Sequence, residues 1–340
     1  MKKHKKFYLT ILAACMVAAA AVCLIEMPPV TKNIRGIYFW KTRFNPTQYE
    51  LDFLREHRID KLYVRMFDVT VDDWDKIRPN ATIVFDQSLP ENVDVVPVIY
   101  LENEIFDQYR SVDVSELADN VLERVDKMMR SQQKEYHEVQ FDCDWTASTY
   151  RSYVALCGYA AQLLHAKDVR LSSTIRLWQT GAMADGLYAD EKVLMLYNIG
   201  GLAKESTKNS IISAGCVDPY LFKLEDGDSR YGVALPAFGW GVLFVGGEYK
   251  GLIHETDYSD TLLYKPLEDG CVRVRESHKV DGRMLHTGEM IRIETSEPRV
   301  VKECAKRVRK WCNGTHVLYH LDSTNLSKYT YDEIEDFYSR

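Results

Sequence analysis

Short β-branched and aromatic runs alternate along this chain with stretches in which apolar residues recur every three to four positions. Strand-like runs fall at 34–40, 61–69, 94–103, 137–145, 169–178, 192–200, 231–244 and 316–322. Helical periodicity marks 46–59, where Pro46 stands near the first turn and Leu51, Phe53 and Leu54 share a face, then 115–132 and 148–166. Further helices are expected at 203–213, at 297–311 and in the C-terminal "TYDEIEDFYSR". Eight strand candidates, mostly separated by helical or irregular connections, predict an α/β protein with a (β/α)8 barrel; a doubly wound open sheet is the competing arrangement. The turn-rich stretch 246–293 breaks the alternation and reads as a β-rich insertion between the seventh strand and the seventh helix. Residues 29–340 are therefore expected to form one barrel domain. There is no repeat of fixed period and no low-complexity tract.

The N-terminus follows a different pattern. Lys2, Lys3, Lys5 and Lys6 precede nineteen uncharged residues, Phe7 to Ile25. At 1.5 Å per residue that run just spans a hydrocarbon core of roughly 30 Å, and the basic head favours a cytoplasmic N-terminus with the rest exported. Residues 1–28 are expected to be a membrane anchor or signal segment. "LAAC" at 12–15 resembles a bacterial lipoprotein processing box, which would make Cys15 the lipidated residue. An uncleaved anchor, a lipoprotein and a cleaved signal all place the domain in the cell envelope, in the periplasm or at the surface.

Composition narrows the choice of partner. The net charge of −7 includes those four lysines, so from residue 7 onward 39 basic residues face 50 acidic ones, or −11. Nucleic acid is not an expected partner of such a surface. Six cysteines lie beyond the apolar segment, an even number that permits disulfides in an exported chain. They form no CxxC pair and no Cys/His cluster at zinc spacing, and no GxGxxG, P-loop or GxSxG motif occurs. No metal and no cofactor are expected.

The chemistry concentrates in "EVQFDCDW" (138–145). Side chains alternate along a strand, so Val139, Phe141, Cys143 and Trp145 share one face while Gln140, Asp142, Asp144 and Thr146 share the other. The apolar face packs under helices; the polar face then points into the barrel, where an isolated carboxylate costs several kcal/mol or shifts its pKa. Both aspartates lie toward the C-terminal end of the strand, the end at which such barrels build their sites. The plain structural alternative is an ion pair, with Arg65 or Arg176. Asp68, Glu102 and Asp322 stand at the ends of other strands and are further candidate carboxyls. Trp40, Tyr100, Trp178, Tyr197, Phe238, Trp240 and Tyr319, also near strand ends, are candidates either for core packing or for stacking on sugar rings.

"FDCDWT" resembles the fourth-strand signature of the chitinase-type, family 18 glycoside hydrolases. "MLYN" (195–198) and "ALPAFGWGV" (234–242) are similar to that family's sixth- and seventh-strand motifs, in the same order. The chain is also similar to exported, glycosidase-like barrel proteins of Bacteroidetes. The resemblance implies a barrel that binds a glycan or oligosaccharide at its C-terminal face, with Asp142 and Asp144 on the paired aspartates and Trp145 on the signature tryptophan. Tyr197 falls on the tyrosine that faces the reacting sugar, with Asn198 beside it. Tyr319 stands where the family carries a tryptophan under the bound sugar. The family's general acid, a glutamate, is replaced by Thr146, whose hydroxyl cannot protonate a leaving alcohol at neutral pH. Two readings follow. Either Asp144 or Glu102 serves as acid with Asp142 as partner, Asp68, Trp145, Tyr197, Asn198, Trp240 and Tyr319 holding the substrate, or the same fold is a catalytically silent glycan-binding or envelope module.

Overall fold

The computed structural model describes residues 33–107, 112–228, 230–254 and 257–339. The apolar N-terminal segment, including Cys15, lies outside the described residues. Eight parallel strands close into a barrel: β1 (Arg35–Phe39), β2 (Lys61–Val71), β3 (Asp94–Leu101), β4 (Glu138–Asp142), β5 (Arg170–Arg176), β6 (Glu191–Met195), β7 (Tyr231–Pro236) and β8 (Cys312–Tyr319). Each pairs with its neighbour in chain order, and β1 closes the ring by pairing with both β2 and β8. The α/β class and the (β/α)8 barrel expected from the pattern are thus the observed architecture.

Among the described residues, five helices of eight or more residues pack outside: α1 (Gln48–Glu56), α2 (Val114–Ser131), α3 (Tyr150–His165), α4 (Pro298–Val308) and α5 (Tyr331–Tyr338). Their starts are written in local chemistry. Thr47 and Glu50 form a reciprocal capping box on α1, Thr330 and Glu333 do the same on α5, and Asp113 caps α2 by accepting from Ser115 and Glu116 N–H. Only short helical turns connect β5 to β6 and β6 to β7.

The expected helix over 203–213 is absent; turns fill that stretch, and the first helical turn begins at Ala214. The carbonyls of Leu202, Lys204 and Glu205 instead accept from the Arg292 guanidinium, so a distant side chain replaces the i→i+4 partners that a helix would supply. The apolar run 231–244 also divides in two. Its first part is β7, and after Ala237 and Phe238 it resumes as Gly239–Val245 in a separate antiparallel sheet. Hydrophobicity is continuous across the break because one half is buried in the barrel and the other in a second small core formed by Leu243, Ile253, Tyr264, Val272, Val274, Leu285 and Ile291.

That sheet has five strands, in the order Glu248–Ile253, Gly239–Val245, Met290–Thr295, Cys271–Val274 and Tyr264–Pro266. Gly246 and Gly247 turn its first hairpin with φ of 60° and 83°, the left-handed pair that a two-residue turn requires.

Candidate active site

The inward face of β4 climbs the barrel axis two residues at a time, and each polar group finds a partner at its own height. Glu138 at the bottom is buried and pairs with Lys61. Gln140 accepts from the Tyr38 hydroxyl at 2.7 Å and donates to Ser172 at 3.2 Å. Asp142 accepts from the Thr174 hydroxyl at 2.5 Å. Asp144, at the mouth, accepts from Arg176 Nε at 2.7 Å and Nη2 at 3.0 Å, a two-pronged pair. The alternation read from the sequence therefore holds from 138 to 144, and β5 supplies the matching partners from Ser172, Thr174 and Arg176, again two residues apart.

The two aspartates differ in environment. Asp142 is buried beneath the rim, and its carboxyl is pushed up to about 6, first by burial and then by the neighbouring charge of Asp144; the Thr174 hydrogen bond and Arg176 pull the other way. It can exchange a proton near neutral pH. Asp144 keeps a side-chain exposure of 40% while its guanidinium partner is largely covered. Burial lowers the Arg176 pKa, but the hydrogen bond and charge of Asp144 more than reverse this, so the guanidinium keeps its charge. With Asp144 held by both prongs, the side chain is fixed and its charge balanced.

Tyrosines ring Asp142. Tyr100 lies level with it on β3 and with Asp68 on β2. Its phenol is pushed up to about 12 by burial and by the charges of Asp144 and Asp142. Tyr38, Tyr197 and Tyr319 are likewise raised, burial being the main cause, so all four are neutral hydroxyls that can donate. Their rings belong to a longer aromatic wall. Trp40 stands edge-on to Tyr38 at 5.7 Å and lies 5.7 Å from Tyr319. Tyr319 packs on Tyr197 at 4.9 Å, Phe238 lies 5.6 Å from Tyr319, and Trp240 follows at 5.1 Å from Phe238. Trp40, Tyr319 and Trp240 keep part of their surface open.

On the other side of Asp144, a pocket of about 310 Å³ is lined by Asp144, Arg176, Leu177, Trp178, Asn198, Ile199 and Tyr220. Trp178 is 38% exposed there, and Asn198 adopts a φ of 53°, in the left-handed region that asparagine tolerates better than most residues. Carboxylate and guanidinium forks beside an open indole are the groups that recognise a sugar, whose hydroxyls need directional partners and whose C–H faces need an apolar plate.

The structure thus gathers Asp142, Asp144, Tyr197, Asn198, Tyr319 and Trp240 around the barrel mouth. Asp68 is near, but Arg65 holds both its oxygens, with the Arg65 guanidinium stacked over Trp40 at 5.3 Å. Glu102 is half-buried and opens the helical turn Asn103–Phe106 on the adjoining strand. Trp145 does not reach the cleft. It is fully buried and packs on Tyr150 and Tyr153 of α3, on the apolar face of the strand to which alternation assigns it; its placement as a substrate-binding residue is corrected accordingly. Thr146 has left the strand to begin the turn into α3. Its N–H donates to Thr149 Oγ1, and its hydroxyl lies 2.8 Å from Ser148 and 3.2 Å from Thr149. Tyr220 was not foreseen, since it sits on a short helical turn far from any strand end. Among the described residues no group of three or more His, Cys, Asp or Glu side chains is placed to hold a metal ion.

Trp240 is held from behind. Its indole N–H donates to Glu294 Oε2 at 2.8 Å, and Ser210 donates to the same oxygen at 2.5 Å. Glu294 Oε1 accepts from Arg292 at 2.7 Å, and both charged residues are buried. One carboxylate therefore joins the insertion sheet, the rim tryptophan and the β6–β7 loop.

No protein-family model matches the sequence, and no curated protein matches it. Solved structures do resemble the fold. A chitinase from Chromobacterium violaceum superposes with a TM-score of 0.54 at 12% identity, covering 91% of this chain and 99% of that one. The spore cortex-lytic enzyme SleL of Bacillus megaterium superposes with a TM-score of 0.51 at 14% identity, covering 92% and 76%. The chain shares the barrel fold of these enzymes.

Proposed function

We propose that the mouth of this barrel binds a glycan containing N-acetylhexosamine units and does not cleave it, in a chain held at the cell envelope by its N-terminal segment. The observation that carries this reading is the pairing of an open, aromatic-walled cleft with the loss of the family's acid at the rim; Asp142, the carboxyl that can exchange a proton, lies buried beneath it. Thr146 occupies the position of the family's glutamate, and its hydroxyl is engaged with Ser148 and Thr149. Asp144 is held by Arg176 and Asp68 by Arg65, so both rim carboxyls are engaged by guanidinium groups. The recognition groups are intact by contrast: open rings at Trp40, Tyr319 and Trp240, neutral phenols around Asp142, and the polar pocket beside Asp144. The sugar class rests on the likeness to barrels that act on chitin and spore cortex.

Glu102 keeps a hydrolytic reading in view, because it opens the turn after β3, the strand next to β4, and among the described residues no arginine is paired with it. One experiment separates the two. Titration calorimetry of the purified full chain against chitin and peptidoglycan oligosaccharides is expected to show binding that Tyr319→Ala weakens, with no new reducing ends after prolonged incubation. Turnover abolished by Glu102→Gln would replace this reading with a hydrolase. Absence of any glycan binding would refute both. Attachment to the envelope predicts that the full chain stays in the membrane fraction after alkaline washing.

A further inference from the structure

The β6–β7 connection carries Cys216 on the helical turn Ala214–Val217, and that turn packs against α4, which carries Cys304. An ion pair fixes the two segments beside the thiols: Arg307, one helical turn beyond Cys304 on the same face of α4, donates to Asp218 Oδ1 at 2.8 Å. Cys216 and Asp218 both act electrostatically on the Cys304 thiol, in keeping with their lying close to it. Cys304 is fully buried, whereas Cys216 keeps an accessible edge.

We propose that Cys216 and Cys304 are a disulfide-forming pair that staples the β6–β7 connection to α4 under oxidising conditions. The oxidant is a disulfide, either a small molecule or the active-site cystine of a thiol–disulfide oxidoreductase. The accessible Cys216 thiolate attacks one sulfur of that disulfide, forming a mixed disulfide and releasing one thiolate. The Cys304 thiolate then attacks the Cys216 sulfur, forming the intramolecular S–S bond and releasing the second thiolate. Two protein thiols are oxidised and one disulfide is reduced to two thiols, the protein's two protons passing to the departing sulfurs. Burial pushes the Cys304 thiol up to about 12, so the second step is expected to be the slower. Once closed, the bond pins the segment that leads, four residues on, to Tyr220 in the wall of the pocket beside Asp144.

A second pair supplies a control. Cys143, just past β4, and Cys157, on the inner face of α3, are both fully buried, out of reach of a bulky oxidant, and should remain thiols. The purified full chain is incubated with oxidised glutathione, alkylated with N-ethylmaleimide without reduction, digested with trypsin and mapped by mass spectrometry. The expected product joins the peptide 209–223 to the peptide 303–306, and Cys216→Ser abolishes it. The oxidised form should also melt higher than the reduced form, by about 5 °C, because the bond closes a long loop. Recovery of Cys304 alkylated, with Cys216 either alkylated or held as a glutathione adduct, overturns the proposal. Since the map is read on the unmodified chain, the result stands even if the serine variants fold poorly.

Discussion

Asp142 is held in the folded protein as an acid of about 6, against an ordinary value of 3.8. Below pH 3.8 both the folded and the unfolded chain carry its proton, and the site has no bearing on stability. Between 3.8 and 6 only the folded chain keeps the proton, so the unfolded state binds fewer and stability falls as pH rises. Above 6 both states are ionised and the loss is complete. That difference corresponds to about 3 kcal/mol. Asp142→Asn removes the charge and keeps an oxygen that can still accept from Thr174. Urea denaturation of wild type and variant from pH 4 to pH 8 gives the difference directly, because other titrating groups cancel between the two proteins. The variant is expected to match wild type near pH 4, to gain on it at about 1.4 kcal/mol per pH unit, and to level off near pH 6 at about 3 kcal/mol more stable. A flat difference across this range, or a variant less stable than wild type at pH 7.5, would refute the assignment of Asp142 as a buried carboxyl raised by burial and Asp144.

Other perturbations follow from the same geometry. Arg292→Leu leaves Glu294 as a buried charge with only Ser210 and Trp240 as partners, which should cost about 3–5 kcal/mol by urea denaturation, whereas Arg292→Leu with Glu294→Leu should recover much of the loss. Trp240→Ala is expected to weaken oligosaccharide binding about tenfold in calorimetry while leaving the far-ultraviolet circular dichroism unchanged, since its ring is a rim plate and not core. Gly232→Ala should cost about 1–3 kcal/mol in thermal denaturation: a Cβ there would come within 2.8 Å of the Thr315 carbonyl and of Glu191 Oε1, which is itself bound to Thr315.

The barrel was legible because its strands are short, apolar and evenly interrupted, and the site strand because alternation is a rule of backbone geometry. Gln140, Asp142 and Asp144 lie on one inward face for that reason alone, and Arg176 was already named as the structural partner. The misplacement of Trp145 shows two signals in competition. Alternation put it under a helix, the family motif put it at the sugar, and the backbone geometry decided. What stayed hidden depended on contacts between segments far apart in the chain. Arg292 takes up the carbonyls of Leu202, Lys204 and Glu205 from some 90 residues away, and no local pattern records that. The split of 231–244 was invisible because burial in two different cores looks the same to a hydropathy pattern. Asp68 was placed correctly at a strand end, but its capture by Arg65 depends on side-chain conformations that spacing does not specify.

The shared carboxylate of Glu294 restricts how this cleft can diversify. Ser210, 84 positions away in sequence, and Trp240 draw on a single oxygen, while Arg292 balances the charge. Turning Trp240 toward a differently shaped ligand would break its bond to the same buried oxygen that fastens Ser210 of the β6–β7 loop. Novelty in ligand choice is therefore expected to enter through the outer hairpins of the insertion, which can lengthen or change sequence without touching Glu294. The strand Met290–Thr295 should vary least, as the keel on which those hairpins are carried.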